Sequence, residues 1–416
     1  MGAACVGREL APRRATQAAF LDVGGEAIDS GIALYFAGPA SFTGEDVVEL
    51  QGHGGPVVMQ MLLASVLERG ARLARPGEFT ERAYLNGKMD LAQAEAVADL
   101  IASASVAAAK GAVKSLRGEF SRRVHGIDEQ VLQLRLYVEA AIDFPEEEVD
   151  FLSEGAVAEK LQALAGDLRV LLQTSRQGAL LRDGVTVALV GAPNVGKSSL
   201  LNALIGEERA IVTDIPGTTR DLVRADLDLD GLPVEIVDTA GLRESADPVE
   251  REGVRRAENQ AREADLVLVV TDYIGSNECS VLPSDTVPST ASVINVLNKV
   301  DKSKLDPGEV PGAGVPTVRV SALTGAGMAE LRAVMMRAVG FSAQPGIFTA
   351  RQRHLMALES ALQALGRSDG LLAEAASGEL IAEELRVAHQ ALGDIVGEMT
   401  ADELLGEIFA SFCIGK

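Results

Sequence analysis

Gly191-Ala192-Pro193-Asn194-Val195-Gly196-Lys197-Ser198 follows the strand-like run VTVALV at 185–190 and precedes an apolar helical stretch at 199–205. Strand, glycine loop and helix, in that order, form the setting in which G-x-x-x-x-G-K-[ST] cradles phosphates. The glycines let successive backbone N–H groups and a helix N-terminus surround an anion. Lys197 then suits the β- and γ-phosphates of a nucleotide, and the Ser198 hydroxyl suits Mg²⁺. Val195 and Ser199 complete the loop around the phosphates.

Working outward, 222–229 and 233–237 alternate as strands do and are joined by Asp230-Gly231, a hairpin signal. The second run feeds into Asp238-Thr239-Ala240-Gly241. An acid at that strand end can hold Mg²⁺ through water, and the Gly241 N–H can reach a γ-phosphate. Ahead of the hairpin lies TDIPGTTR, Thr213 to Arg220, a switch-loop segment whose Asp214, Pro216 and Gly217 would border the nucleotide and whose Thr219 would complete the Mg²⁺ shell. Read by itself, Gly217-Thr218-Thr219 is also compatible with an ordinary polar turn.

Asn298-Lys299-Val300-Asp301 follows a strand at 293–297, and Ser321-Ala322-Leu323 follows one at 318–320. A carboxylate at Asp301 accepts two hydrogen bonds from guanine N1–H and its 2-amino group, which adenine cannot offer. Backbone N–H groups of 321–323 would meet the guanine oxygen. Four motifs in this order imply GTP, the alternative being an ATP-using P-loop enzyme. After Gly241 stands Leu242, where a Ras-like enzyme places a water-orienting Gln. Arg243, Glu244, Glu250 and Arg251 are the nearby candidates for that task, and any of them could equally be surface charge.

At 416 residues two or three domains are expected. With 38 Lys and Arg against 60 Asp and Glu, the charge of −22 argues against this chain neutralising a long nucleic acid by itself. Cys5, Cys279 and Cys413 form no CxxC pair, which predicts neither a disulfide framework nor a zinc cluster and fits a reducing cytoplasm. No run approaches 18 apolar residues, so no membrane span is expected. Residues 18–79 mix strands (32–36, 47–50) with a helix at 57–67. Three- and four-residue apolar spacing marks long helices over 90–143 and 353–412. Strand and helix alternate from 185 to 340, the pattern of an open parallel sheet. The acidic run at 146–150 reads as a solvated helix boundary, not a metal site.

Beyond the GTP motifs, SFTGEDVVELQGHGGP (41–56), RPGEFTERAYLNGKMDLAQAEAVADLI (75–101), YVEAAIDFPEEEVDF (137–151) and ADELLGEIFASFCIGK (401–416) resemble signatures of the MnmE (TrmE) tRNA-modification GTPase family. The resemblance implies a multi-domain fold: an α+β folate-binding and dimer-forming domain (1–86), an all-α helical domain (87–180 with 341–416), and an inserted Ras-like α/β P-loop G domain (181–340). It implies a GTP hydrolase that works with a flavin-dependent partner of the MnmG (GidA) family. Together they place an aminomethyl or carboxymethylaminomethyl group on the 5-position of the wobble uridine of certain tRNAs, a folate in its 5-formyl or methylene form supplying the carbon. It further implies a homodimer whose G domains pair when GTP binds, with tRNA held largely through the partner.

Carried across by residue, the family's potassium site corresponds to Asn194 with Thr213, Ile215 and Thr218, a cation that offsets transition-state charge in place of an arginine finger. Glu250 falls on the family's catalytic glutamate, Glu49, Lys88 and Lys416 on its folate site, and Cys413 on a position linked to the modification chemistry. Two departures stand out. The family's opening strand and glycine-rich PGRGGVGI-type segment has no match in residues 1–40, which points to a truncated start lacking a folate-contacting arginine. Residues 273–291, rich in Ser, Pro and Thr, favour a loop where a third G-domain helix is expected. His53, between Gly52 and Gly54, stays unassigned. The rival reading from another class is a regulatory GTP switch of the ribosome-assembly type without covalent RNA chemistry.

Overall fold

A computed structural model describes residues 1–143, 156–192, 194–206, 224–238, 264–272, 291–303, 305–342, 346–374, 377–398, 405, 408–410 and 412. In chain order the described elements are α1 (Gly2–Val6), β1 (Thr16–Leu21), β2 (Ala27–Phe36), β3 (Val47–Gln51), α2 (Pro56–Glu68), α3 (Glu78–Leu85), α4 (Leu91–Ala102), α5 (Val106–Leu116), α6 (Glu119–Asp143) and α7 (Ala156–Asp183). There follow β4 (Val185–Val190), α8 (Lys197–Gly206), β5 (Arg224–Leu229), β6 (Leu232–Asp238), β7 (Leu266–Asp272), β8 (Ser292–Asn298), β9 (Gly308–Glu309), β10 (Thr317–Arg319), α9 (Met328–Ala338), α10 (Gln352–Ala373) and α11 (Gly378–Val396).

The chain divides into two compact units, the first comprising Met1–Ala98, Leu116–Lys160 and Gln363–Lys416. Its antiparallel sheet runs β1-β2-β3. Alternation sends Phe20 and Ala33 inward with Leu62 of α2, burying one face. Gly31 is forced, because a Cβ there would lie 2.1 Å from the Gln51 carbonyl oxygen. In the helical part, Val124, Ile127, Val131, Leu134 and Val138 form a buried stripe on α6, and Ile381, Leu385, Ala388, Leu392 and Ile395 form its counterpart on α11. Those two helices pack against each other. Near the C-terminus Ile408, Phe409 and Phe412 join Leu91 and Ala94 in a separate apolar cluster. The Tyr84 hydroxyl donates to the Gly397 carbonyl at 2.6 Å, and Gly77 leaves no room for a Cβ, which would stand 2.6 Å from the Phe409 carbonyl oxygen.

Beside Gly77 a cleft of about 290 Å³ is lined by Arg72, Glu78, Phe79 and Arg82. Arg72 grips the Glu78 carboxylate through both oxygens, at 2.5 and 2.8 Å, and the Arg75 N–H adds a third bond at 2.8 Å. The Arg72 hydrogen bond, then that from Arg75, holds the Glu78 carboxyl down at about 2.

The second unit, Asp99–Ser115 with Leu161–Leu362, holds the seven-stranded sheet in the order β5-β6-β4-β7-β8-β10-β9. Strands β6, β4, β7, β8 and β10 are parallel, while β5 and β9 are antiparallel to their neighbours. Val187, Leu189, Ile236, Leu268, Ile294 and Val318 fill the core that α8 and α9 cover, as near-continuous apolar strands require. The expected hairpin is present, with φ of 50° at Asp230 and 97° at Gly231, the left-handed pair a tight two-residue turn needs. At the end of α7, the Gln177 side chain donates to Gly340 O and accepts from Ser342 N–H. The acidic run at 146–150 and the segment at 273–290 lie outside the described residues.

Gly178 tests this packing, since helix propensity and space disagree there. A Cβ would sit 2.0 Å from the Phe348 carbonyl oxygen. Gly178→Ala is expected to destabilise the chain by about 1–3 kcal/mol, although propensity alone predicts a gain of roughly 1 kcal/mol; thermal or urea unfolding gives the sign. Glu78, with its folded pKa depressed, stabilises the first unit above pH 4.5, and that contribution is lost as pH falls toward about 2. Glu78→Gln should therefore lower stability at pH 7 and narrow the gap to wild type between pH 4.5 and 2 in pH-dependent melts.

Candidate functional site

The carboxyl ends of β4, β7, β8 and β10 converge where ligands bind in open α/β sheets. After β4 the chain turns at Gly191, where a Cβ would stand 2.2 Å from the Val270 carbonyl oxygen. It then passes through Asn194, at a left-handed φ of 64°, a conformation Asn tolerates better than most residues. Gly196 has φ 99°, and its missing Cβ leaves the space taken by the Asn298 amide, 2.3 Å from where that atom would be. Lys197 opens α8, only 7% exposed. Its ammonium donates to the carbonyls of Gly191 and Ala192 at 2.6 and 3.0 Å. Both partners are neutral loop oxygens, so among the described residues this buried cation over a concave loop meets no anion, an arrangement that fits a polyphosphate.

The guanine-type loop is tied to this cradle. Asn298, 2% exposed, donates from Nδ2 to the Val195 carbonyl at 2.9 Å, and its Oδ1 accepts the Ala322 N–H at 3.1 Å. Lys299, also left-handed at φ 66°, donates from Nζ to the Asn194 carbonyl at 2.8 Å and pairs with Asp272 at 2.5 Å. Left-handed backbone at a non-glycine residue costs on the order of 1–3 kcal/mol and gathers at functional sites. Ser321, fully buried, donates to Asp301 Oδ1 at 2.6 Å, fixing the carboxylate that would read the base. Leu323 is 84% exposed. Val300 N–H bonds to the Val320 carbonyl at 3.1 Å, joining the two loops through backbone as well.

The structure therefore brings together Asn194, Val195, Gly196, Lys197, Asn298, Lys299, Asp301, Ser321 and Ala322, with Ser198 and Ser199 in the first turn of α8. Asp238 ends β6. Residues Thr213 to Thr219, Thr239, Ala240, Gly241, Leu242, Glu250, Cys413 and Lys416 lie outside the described residues. Asp272 was not anticipated. Its signal is an acid at the end of an apolar strand, which became meaningful only once β7 was known to lie between β4 and β8.

In the first unit Glu49 and Lys88 are both exposed. Glu49 accepts from Gln51 Nε2 at 3.1 Å, and the Lys88 ammonium donates to the Pro39 carbonyl at 2.9 Å. Among the described residues the hydrogen-bond partners of both are neutral. Among the described residues no three His, Cys, Asp or Glu side chains are grouped to hold a metal, and no helix is long and apolar enough to cross a membrane.

Sheet order, phosphate loop and the linked guanine-type loops define a P-loop GTPase. The family model described as the MnmE helical domain matches residues 91–413, and that described as the GTP-binding protein TrmE N-terminus matches residues 3–88. Among curated relatives, "tRNA modification GTPase MnmE" of Azoarcus sp. (strain BH72) is 54% identical over 99% of this chain and 91% of its own length. The protein of the same name from Pseudomonas aeruginosa is 54% identical over 100% of this chain and 93% of its own. Of solved structures, Aquifex aeolicus Era bound to GDP.AlF4- is 26% identical over 43% of this chain and 66% of that one, with a TM-score of 0.28. The chain belongs to the MnmE family of tRNA modification GTPases.

Removing the Asn298 amide leaves the Val195 carbonyl and the Ala322 N–H without their side-chain partner. Asn298→Ala should weaken GDP binding by about 10- to 100-fold, the equivalent of roughly 1–3 kcal/mol for buried polar groups left unmatched; displacement of a fluorescent GDP analogue measures it.

Proposed function

We propose that this chain is a potassium-assisted GTPase that, with a flavin-dependent partner of the MnmG family, helps place an aminomethyl-type group on the wobble uridine of tRNA. The observation that carries the reading is the Asn298 link between phosphate loop and base loop in a chain of this family. In this reading Lys197 meets the β- and γ-phosphates, Ser198 and Thr219 hold Mg²⁺, and Asp301 reads guanine. The nucleotide is further lined by Asp214, Pro216, Gly217 and the run from Asp238 to Gly241.

Potassium would be held by Asn194, Thr213, Ile215 and Thr218. Support comes from the left-handed backbone at Asn194, pinned through its carbonyl by Lys299. Leu242 stands where a Ras-like enzyme has its water-orienting glutamine, and the family resemblance assigns that role to Glu250. Bound near the β- and γ-phosphates, the cation would supply positive charge as the transition state develops.

Folate binding is assigned to Glu49, Lys88 and Lys416, with Cys413 beside the modification chemistry. Dimerisation through residues 1–86 is supported by α2, which leaves Val57, Met59, Met61 and Leu63 between 46% and 67% exposed, an apolar stretch suited to a second copy. The remaining boundaries, 87–180 with 341–416 as helical domain and 181–340 as inserted G domain, place nucleotide-driven motion next to helices. With a charge of −22, tRNA is assigned largely to the partner, and the setting is the cytoplasm.

GTP hydrolysis by the purified chain should run at least tenfold faster in potassium than in sodium at equal ionic strength, and Asn194→Ala should abolish the difference. Glu250→Ala should lower kcat in both salts by roughly 10²-fold, the scale of one lost positioning or proton-transfer group. Equal wild-type rates in the two salts would sink the cation-assisted reading.

A further inference from the structure

The chain has four histidines, and three sit in helices. His354 is 2% exposed and its Nδ1 accepts the Arg351 N–H at 3.1 Å. His389 lies 2.6 Å from Asp128 with its side chain 25% exposed, and His125 stands 3.8 Å from Glu398. His53 differs from all three. It lies in the loop between β3 and α2, its side chain 80% exposed, with Nδ1 2.9 Å from Asp29 Oδ1. Its own backbone N–H donates to the other Asp29 oxygen at 2.7 Å.

This is a built arrangement, since Asp29 is only 10% exposed and accepts from His53 twice. The approach depends on Gly52, where a Cβ would lie 2.5 Å from Asp29 Oδ2. A carboxylate only accepts, so in the neutral ring Nδ1 carries the hydrogen and Nε2 presents its lone pair on the exposed side. The ring hydrogen bond, then the backbone one, holds the Asp29 carboxyl below its usual range, so it stays ionised and can stabilise an imidazolium. Asp29 of β2 is the charged group placed against the ring; residues 56–67 of α2 are uncharged.

We propose that His53, oriented by Asp29, is a proton-transfer residue of the N-terminal domain. Its Nε2 takes a proton from the ammonium form of the amine that the tRNA modification consumes. This rests on the aminomethyl reading above. Primary amines are protonated near neutral pH and cannot act as nucleophiles until a base removes a proton. In the step, an N–H bond of the ammonium breaks, its electron pair stays on the nitrogen, and the proton moves to Nε2. The imidazolium so formed pairs with Asp29 and then returns the proton to water. Nothing is oxidised or reduced.

The test uses the full chain with its flavin-dependent partner, substrate tRNA, and either ammonium or glycine from pH 6 to 9, followed by mass spectrometry of tRNA nucleosides. His53→Asn keeps an N–H for Asp29 but has no base. It should lower the single-turnover rate about 100-fold near neutrality, with the loss shrinking as pH approaches the amine's own pKa. Asp29→Asn should lose a similar factor, because an amide favours the opposite tautomer; nitrogen NMR of the ring, read without any activity, should show the hydrogen moving from Nδ1 to Nε2. GTP hydrolysis and 5-formyltetrahydrofolate binding should stay within twofold, showing that both domains are folded, and imidazole should partly rescue His53→Ala. Whichever amine shows the pH-dependent loss is the one deprotonated. A wild-type rate and pH profile in His53→Asn, or an equal loss at every pH accompanied by lost folate binding, would overturn the proposal alone. Failure of the wild-type chain to modify tRNA with either amine would remove the aminomethyl reading and the proposal with it.

Discussion

One buried carboxamide organises the nucleotide site. Asn298 closes β8, yet its Nδ2 reaches past β7 to the phosphate loop after β4 and its Oδ1 takes a backbone N–H after β10. Two loops that would otherwise be set by separate strands become one object. The geometry explains why position 196 must be glycine, because a side chain there would occupy the place of this amide. Lys299 adds a second tie from the same loop, to Asn194 and to Asp272 at the end of β7. Phosphate recognition and base recognition are therefore not independent, and a disturbance at either loop is passed to the other through hydrogen bonds in a poorly hydrated place.

How far this was legible depended on range. VTVALV is an apolar run bounded by a glycine loop, and β4 spans those same residues. Asp230-Gly231 specifies its hairpin because the turn chemistry is local. β10 begins one residue before the expected 318 and ends one before the expected 320, a shift set by pairing with β8 that no local pattern contains. Motif order was enough to gather the phosphate and guanine loops. It could not show Lys299 against Asp272, since that pair exists only through sheet order. Asp29 and His53 are 24 residues apart, and although the glycines around His53 mark a turn, nothing local points to Asp29 as its partner. Glu49 and Lys88 entered by family resemblance, and each is exposed with a neutral partner.

A different constraint governs the second unit, where the chain enters and leaves the sheet. The last turns of α7 lead into β4, and residues 340–342 and 346–351 follow α9. These segments are laced at several points. Gln177 uses both ends of its amide on Gly340 and Ser342, Gly178 sits against the Phe348 carbonyl, and Arg176 pairs with Glu359 at 2.8 Å. Asp99, 8% exposed, receives Arg182 at 2.9 Å and Arg351 at 2.7 Å. Two arginines from opposite sides of the crossing thus converge on one buried carboxylate. Breaking either pair would leave part of a buried charge uncompensated, which is far more costly than losing an exposed ion pair.

The hairpin of β5 and β6 is held by the same unit at its far end. Ser105, 6% exposed, donates to the Gly231 carbonyl at 2.8 Å while its Oγ accepts the Ala108 N–H at 3.1 Å, and Gly231 has no room for a Cβ beside Ala107. β6 therefore runs from a tip tied to residues 105–107 to its carboxyl end at Asp238. A hairpin anchored at its tip cannot slide as a whole. Any displacement that begins at Asp238 must be taken up as twist or bend between the ends of β6, or be passed to residues 105–107 through the buried hydroxyl.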